Sequence, residues 1–376
     1  MKPILPPAML GIIGGGQLGR MFTMAARSMG YRVTVLEPDQ DCPAGTLADV
    51  HLCAPYDDRP ALDHLAATCL AVTTEFENVS ALGLQRLAES VRVSPSAAAV
   101  SIAQDRILEK TFIQGAGLRV APFAPIESLA DLQKPLASLL PGILKLAQLG
   151  YDGKGQIRVD SEEDVRQGFI ALGEKPCVLE RRLELELELS VIVARTSPSV
   201  VRTFPVAENQ HAGGILDISL IPARVSEKVA QMAREMALQL AEALDYVGVL
   251  AVEFFLLKDQ QLIINEIAPR PHNSGHFSLD GTLTSQFEQQ VRTLCGLPPG
   301  DTQLLSPVVM INLLGDLWGT KDPDWSILLD QPNVLLHLYG KASARPGRKM
   351  GHFNVLGDDL QRILKQATDL RDQLRP

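Results

Sequence analysis

The chain has 376 residues, 46% of them hydrophobic and 21% charged, with a net charge of −9 at neutral pH. That length supports two or three domains and a sizeable core, and the acidic balance excludes a general nucleic-acid binder while leaving room for small anions in a local basic pocket. Cys42, Cys53, Cys69, Cys177 and Cys295 are widely spread and lack metal-ligand spacing, which fits a reduced, cytoplasmic compartment. Pro6-Pro7 and the glycines at 14–16 break the apolar start, so it does not read as a signal peptide, and no run is long enough to cross a bilayer.

Residues 10–13 read as a buried strand. Gly14-Gly15-Gly16-Gln17-Leu18-Gly19-Arg20 then opens a helix to about Met29, and residues 33–36 form a second strand ending at Glu37. This βαβ start satisfies G-x-G-x-x-G with an acid about 20 residues further on, the pattern of a Rossmann-like dinucleotide domain. Backbone N–H groups at a helix N-terminus hold any phosphate, and no later segment offers a nicotinamide partner. The turn therefore reads as phosphate-binding in preference to NAD-binding. A strand at 69–74 delivers Glu75 and Glu77 to the carboxyl end of the sheet, where open α/β folds bind ligands. For Glu77, capping of a helix starting near Ser80 is the better reading. Ser94-Pro95-Ser96 marks the first domain boundary.

Residues 104–114 are helical in pattern, with Ile107, Leu108, Phe112 and Ile113 on one stripe and Arg106 and Lys110 outside it, on what reads as a solvated face. Strand 142–147, a loop carrying Gly150, Gly153, Lys154 and Gly155, and strand 157–159 follow. The loop lacks the G-K-[ST] ending and following helix of a Walker loop. It suits a hairpin flap over nucleotide phosphates, with Lys145 reaching them from the preceding strand. Residues 183–189 alternate leucine and glutamate, placing leucines on a core and glutamates on the other face, where one or two suit ribose hydroxyls. Residues 226–244 are the clearest helix, capped by Ser226, with Val229, Ala233, Met236, Leu240 and Leu244 as its buried stripe.

Residues 251–255 and 262–276 read as an antiparallel hairpin around the polar turn 258–261. Pairing Leu257 with Leu262 sets Glu253 opposite Glu266, and two carboxylates about 5 Å apart repel by roughly 3 kcal/mol at an effective dielectric near 20. A hard divalent cation between them, its remaining ligands supplied by substrate phosphates and water, removes that cost. Arg270, His272, Asn273 and His276 follow at once on a backbone stiffened by Pro269 and Pro271, and Ser274-Gly275 permits close approach of main chain to ligand. The combination reads as phosphoryl transfer beside an anionic acceptor site. Residues 284–288 resemble a capping box opening a helix to about Leu294, and Leu297-Pro298-Pro299-Gly300 closes that domain. The tail carries strands Val308–Leu314 and Val334–Leu338, then Lys341, Arg345, Arg348 and Lys349, which read as an oxyanion or phosphate contact.

The segments GGGQLGRM, GYDGKGQ, VGVLAVEFF, NEIAPRPHNSGH, SQFE and ARPGRKMGH together resemble the 5-(carboxyamino)imidazole ribonucleotide synthases, an ATP-grasp family, from about Leu10 to His352. The resemblance implies a mixed α/β and α+β chain. Its parts are a Rossmann-like pre-ATP-grasp domain at 1–95, a two-lobed ATP-grasp domain at 96–300 with its lid lobe at about 120–185, and a small C-terminal hybrid-type β segment at 301–376. It further implies a homodimer. ATP would be held by Arg106, Lys145, Gly150, Tyr151, Asp152, Gly153, Lys154, Gly155, Gln156, Glu180, Arg181, Arg182, Leu183, Glu188, His211, Asn265 and Glu266, and Mg²⁺ by Glu253 and Glu266. The aminoimidazole ribonucleotide and bicarbonate would meet Gln17, Leu18, Glu75, Tyr151, Asp152, Arg270, His272, Asn273, Lys341 and Arg348. Catalytic roles would fall on Arg270, His272, Asn273, Lys145 and Asp152. Leu146, Gln148 and Leu149 stand where the family commonly has Thr, a basic residue and a second glycine, and Ala268 stands where the wider superfamily often has a metal-ligating Asn. The reaction implied is ATP- and bicarbonate-dependent carboxylation of an exocyclic amine through carboxyphosphate, in purine biosynthesis. Another ATP-grasp ligase, such as a formate-dependent glycinamide ribonucleotide transformylase, and an NAD-linked oxidoreductase are the alternatives.

Overall fold

The structure, a computed structural model, describes residues 2–150, 155–319 and 321–375. Among the described residues the strands form three sheets. The first is parallel, in the order Val50–Leu52, Arg32–Leu36, Met9–Ile13, Ala71–Thr74, Arg92–Val93. Met9–Ile13 lies in the middle because the chain adds two strands to one side of it and then returns to the other. The carboxyl ends of Met9–Ile13 and Ala71–Thr74 therefore flank a topological switch point, with the turn at 14–16 on one side and Glu75–Glu77 on the other. Gly14 has a φ of +105°, and a Cβ there would lie 2.3 Å from Glu75 Cγ, so only glycine brings the turn this close to that strand end.

The second sheet is antiparallel and runs Phe123–Ile126, Cys177–Arg181, Gly142–Leu146, Gln156–Val159. Ile126, Leu144, Val159 and Leu179 pack against Val165 and Phe169 of the helix Glu162–Ala171, which opens on a reciprocal cap between Ser161 and Asp164. The third sheet begins with Leu262–Ala268, Gly248–Leu257, Leu185–Ser197, Ala207–Ala212 and Ile215–Ile221. It continues through Val308–Leu314, Lys349–Leu356 and Val334–Leu338. The C-terminal strands thus extend the central sheet through the Ile215–Ile221 edge. Helix Glu227–Ala243 buries Val229, Ala233 and Leu240 against this sheet, and helix Leu360–Gln373 covers its far end with Ile363, Ala367 and Leu370. Among the described residues no helix is long and apolar enough to cross a membrane.

The helix expected at 104–114 is broken at Asp105. Its extended backbone ends Ala97–Gln104, and its carboxylate accepts from the N–H groups of Ile107 and Leu108 to start Arg106–Gly115. The expected faces hold only in part: Ile113 is buried and Phe112 packs against the core, but Leu108 is 52% exposed and Lys110 is fully buried. Polar contacts to two different sheets therefore act beside apolar burial in orienting this helix.

Candidate active site

The three sheets enclose a cleft of about 690 Å³. Its floor is the hairpin of Gly248–Leu257 and Leu262–Ala268, and the register there differs from the expected one near the turn. Leu256, and not Leu257, pairs with Leu262; the offset persists to Phe254↔Ile264, and a bulge at Asn265 then restores Glu253↔Glu266. Asn265, Glu266, Ile267 and Ala268 all line the cleft.

The first turn of Arg106–Gly115 grips the bulge. Arg106 donates to Glu266 Oε2 at 2.8 Å, Glu109 Oε1 accepts the N–H of Ile267 at 2.6 Å, and Lys110 Nζ donates to the carbonyl of Asn265 at 3.3 Å. Lys110 and Lys145 share Glu180 Oε2 at 3.3 and 3.0 Å. Burial, with the Glu266 charge behind it, pushes the Glu109 carboxyl up to about 8. Burial likewise pulls the Lys145 ammonium below its ordinary range, with Glu180 opposing. Glu109 and Lys110 had no assigned role in the sequence reading. The signal was charges at positions 106, 109 and 110, which share one helix face.

After the hairpin, Arg270 Nε donates to Glu77 Oε2 at 2.6 Å. Glu77 is therefore not a helix cap; Ser80 does that work by accepting from Gly83 N–H. Burial would raise the Glu77 carboxyl, but Arg270 outweighs it and holds it low. His272 Nε2 lies 3.0 Å from Glu253 Oε1, and burial together with Arg270 keeps this imidazole well below its usual pKa. The Asn273 amide is buried and lines the cleft, and among the described residues neither of its polar atoms has a partner, which leaves a donor and an acceptor for a ligand.

The N-terminal glycine turn departs from its expected use. Glu75 accepts from the N–H groups of Gly16 and Gly19, and Glu37 accepts from that of Gly15. Internal carboxylates thus occupy the helix N-terminus where a phosphate was expected, and the same hydrogen bonds fix Glu75 at the cleft edge beside Gln17 and Leu18.

Lys145, Gly150, Gln156, Glu188 and His211 also line the cleft. Burial disfavours the charged form of His211, but Glu188 at 3.1 Å outweighs it and raises its pKa. Glu180 lies behind the wall with Lys110 and pairs there with the cleft-lining Lys145, while Arg181, Arg182, Leu183 and Gly155 are not cleft-lining; Arg182 instead approaches Asp160 at 3.7 Å. Tyr151, Asp152, Gly153 and Lys154 fall outside the described residues. Of the basic tail, Lys349 reaches the cleft wall. Lys341 donates to the carbonyl of Lys349, and Arg348 to Ser343.

The opposed carboxylates fit a divalent cation. Burial, then the neighbouring Glu266 charge, holds Glu253 above the ordinary carboxylate range. Burial would raise Glu266 too, but Arg106 dominates and holds it low. Among the described residues no group of three or more His, Cys, Asp or Glu side chains is placed to hold a metal ion, so two protein oxygens would be completed by phosphate and water, as suits Mg²⁺.

Comparison with known proteins identifies the family and the fold. Residues 8–104 match the ribonucleotide synthetase preATP-grasp domain, residues 111–287 the ATP-grasp domain, and residues 308–366 the phosphoribosylaminoimidazole carboxylase C-terminal domain. The chain is 42% identical to the N5-carboxyaminoimidazole ribonucleotide synthase of Bacillus subtilis, over 97% of this chain and 96% of that one. A crystal structure of the ADP complex of an N5-carboxyaminoimidazole ribonucleotide synthetase superposes with a TM-score of 0.92 at 43% identity, covering 99% and 98% of the two chains. The Aspergillus clavatus enzyme in complex with ADP and 5-aminoimidazole ribonucleotide gives 0.89 at 33% identity, with 98% of each chain covered. The chain belongs to the N5-carboxyaminoimidazole ribonucleotide synthases, a family of ATP-grasp ligases.

Proposed function

We propose that this cleft joins ATP, bicarbonate and 5-aminoimidazole ribonucleotide, yielding ADP, phosphate and the N5-carboxylated ribonucleotide. The observation that carries the reading is the meeting of Glu253 and Glu266 with Arg106, Lys145, Arg270 and Lys349 around one cavity. The chain divides, on this reading, near residues 95 and 300. Kinship with the family supports a homodimer and a cytoplasmic location.

Nucleotide would lie between the lid sheet and the central sheet, met by Arg106, Lys145, the 150–156 loop, Glu188, His211, Asn265 and Glu266. Mg²⁺ held by Glu253 and Glu266 would neutralise charge on the terminal phosphates. A bicarbonate oxygen attacks the γ-phosphorus, the bond to the bridging oxygen breaks towards ADP, and carboxyphosphate forms. Lys145 and Arg270 offset the charge that develops, while the unbonded amide of Asn273 and the guanidinium of Arg270 orient the oxyanion. The exocyclic amine then bonds to the carboxyl carbon as phosphate departs, and the amine loses a proton. Glu75 and Gln17 supply acceptors and donors for the ribonucleotide at the other end of the cleft, with Lys341 and Arg348 near its phosphate.

ADP release is expected only when aminoimidazole ribonucleotide and bicarbonate are both present. Turnover indifferent to them, or supported by formate and glycinamide ribonucleotide instead, overturns the reading.

A pH dependence follows from Glu253. Its raised pKa means that the ligand-free protein favours the neutral carboxyl below the shifted value, whereas a cation takes the carboxylate. Binding of Mg²⁺-ADP near neutral pH is therefore expected to release protons, a release that fades as pH rises through the shifted pKa. Calorimetry in buffers of different ionisation enthalpy measures it; identical binding enthalpies in all of them would refute it.

A further inference from the structure

A file of buried side chains crosses the central sheet behind the cleft and ends on His272. Ser219, Asn209 and Ser190 lie on three adjacent strands and Ser274 on the turn after Asn273, each at most 4% exposed. Ser219 Oγ donates to Asn209 Oδ1 at 2.8 Å, Asn209 Nδ2 to Ser190 Oγ at 2.9 Å, and Ser190 Oγ to Ser274 Oγ at 2.8 Å. Ser274 Oγ lies 2.9 Å from His272 Nδ1. None of these four residues lines the cleft. Polar side chains in such a sheet carry a desolvation cost that only their mutual bonds offset, and packing alone would be served by apolar residues of similar size.

The direction of the file is fixed at its end. The backbone N–H of Ser274 also points at His272 Nδ1, at 3.3 Å, and a peptide N–H can only donate. Nδ1 is therefore the lone-pair nitrogen, and the Ser274 hydroxyl donates to it too. Every upstream group then donates towards the histidine, and the Asn209 amide, carbonyl towards Ser219 and NH₂ towards Ser190, has the orientation this requires. With Nδ1 closed to a proton, the neutral ring carries its hydrogen on Nε2, 3.0 Å from Glu253 Oε1.

We propose that Ser274, Ser190, Asn209 and Ser219 are positioning residues that lock His272 in the Nε2–H tautomer, so that it donates to Glu253 Oε1 and leaves the second carboxylate oxygen to the cation. The consequence for catalysis rests on Glu253 being a cation ligand; the tautomer does not. A tautomer set the other way would turn a lone pair against the carboxylate and free Glu253 to rotate.

The test is ¹⁵N NMR of the full-length, ligand-free protein labelled at histidine, with the His272 signals identified by their loss in His272→Gln. Wild type is expected to give a protonated Nε2 and a pyridine-like Nδ1; a protonated Nδ1 overturns the proposal without reference to activity. Asn209→Asp keeps the side-chain shape but accepts on both sides, which reverses the file. It is expected to populate the Nδ1–H tautomer and lower kcat about tenfold, with KM for ATP within about twofold. Ser190→Ala cuts the file without adding charge, and is expected to broaden the His272 signals and lower kcat about threefold at unchanged KM. His272 signals unmoved in both variants mean a packing role only and overturn the proposal. Absence of carboxylation by the wild type would instead defeat the reading of the site and leave the NMR result standing.

Discussion

Glu266→Gln is expected to lower turnover by about 10³-fold or more while moving the thermal midpoint by no more than about 3 °C. The amide keeps the shape of the side chain and retains an acceptor for Arg106, which donates to Glu266 Oε2 in the parent. It removes the negative charge that, on the proposed reading, would make the hairpin floor a cation site together with Glu253. Three orders of magnitude correspond to about 4 kcal/mol at the transition state, within the range for losing a group that acts on developing phosphoryl charge. Stability moves little because two changes oppose each other. Arg106 loses an ionic partner, and Glu253 loses the neighbour whose charge helps to hold its pKa high. Activity assays beside a thermal melt separate the outcomes: most of the activity retained would remove Glu266 from the metal site.

The hairpin illustrates how much of this site was legible in the sequence. Opposition of Glu253 to Glu266 followed from counting across the turn, yet the count assumed a regular ladder. The structure reaches the same pairing by a different register corrected at Asn265. A bulge leaves no mark on hydropathy, so the shifted register was not readable. Periodicity misled at Lys110 for a related reason. It assigns charged residues to solvent, whereas Lys110 is buried because Glu180 and the Asn265 carbonyl wait for it on two different sheets. Glu77 failed similarly, since its partner Arg270 lies far along the chain and no local pattern joins them. Local signals fared better. The Ser226 cap, the strand pair around the glycine loop and the strands Val308–Leu314 and Val334–Leu338 each depend on neighbours in sequence, and each formed as expected.

Arg270→Met is expected to lower kcat by about 10²- to 10³-fold and to destabilise the protein by about 2 kcal/mol, and a second substitution tells the two losses apart. The guanidinium is held by Glu77 across the junction between the N-terminal sheet and the central hairpin, so the substitution removes a cleft cation and strands a partly buried carboxylate. Adding Glu77→Gln to Arg270→Met replaces that stranded charge with a neutral amide, and should return most of the lost stability to a chemical-denaturation curve. Activity should not return, because the cation is still missing. Glu77→Gln alone should cost about tenfold in kcat, since Arg270 keeps its charge but loses the contact that aims it. On the Arg270→Met background the same change should cost nothing further, the anchor then having no guanidinium to hold. Arg270→Lys restores charge without the planar fork and should recover only part of the rate. Full additivity of the Glu77 and Arg270 effects on kcat would mean that Glu77 acts on the reaction by another route than its ion pair with Arg270.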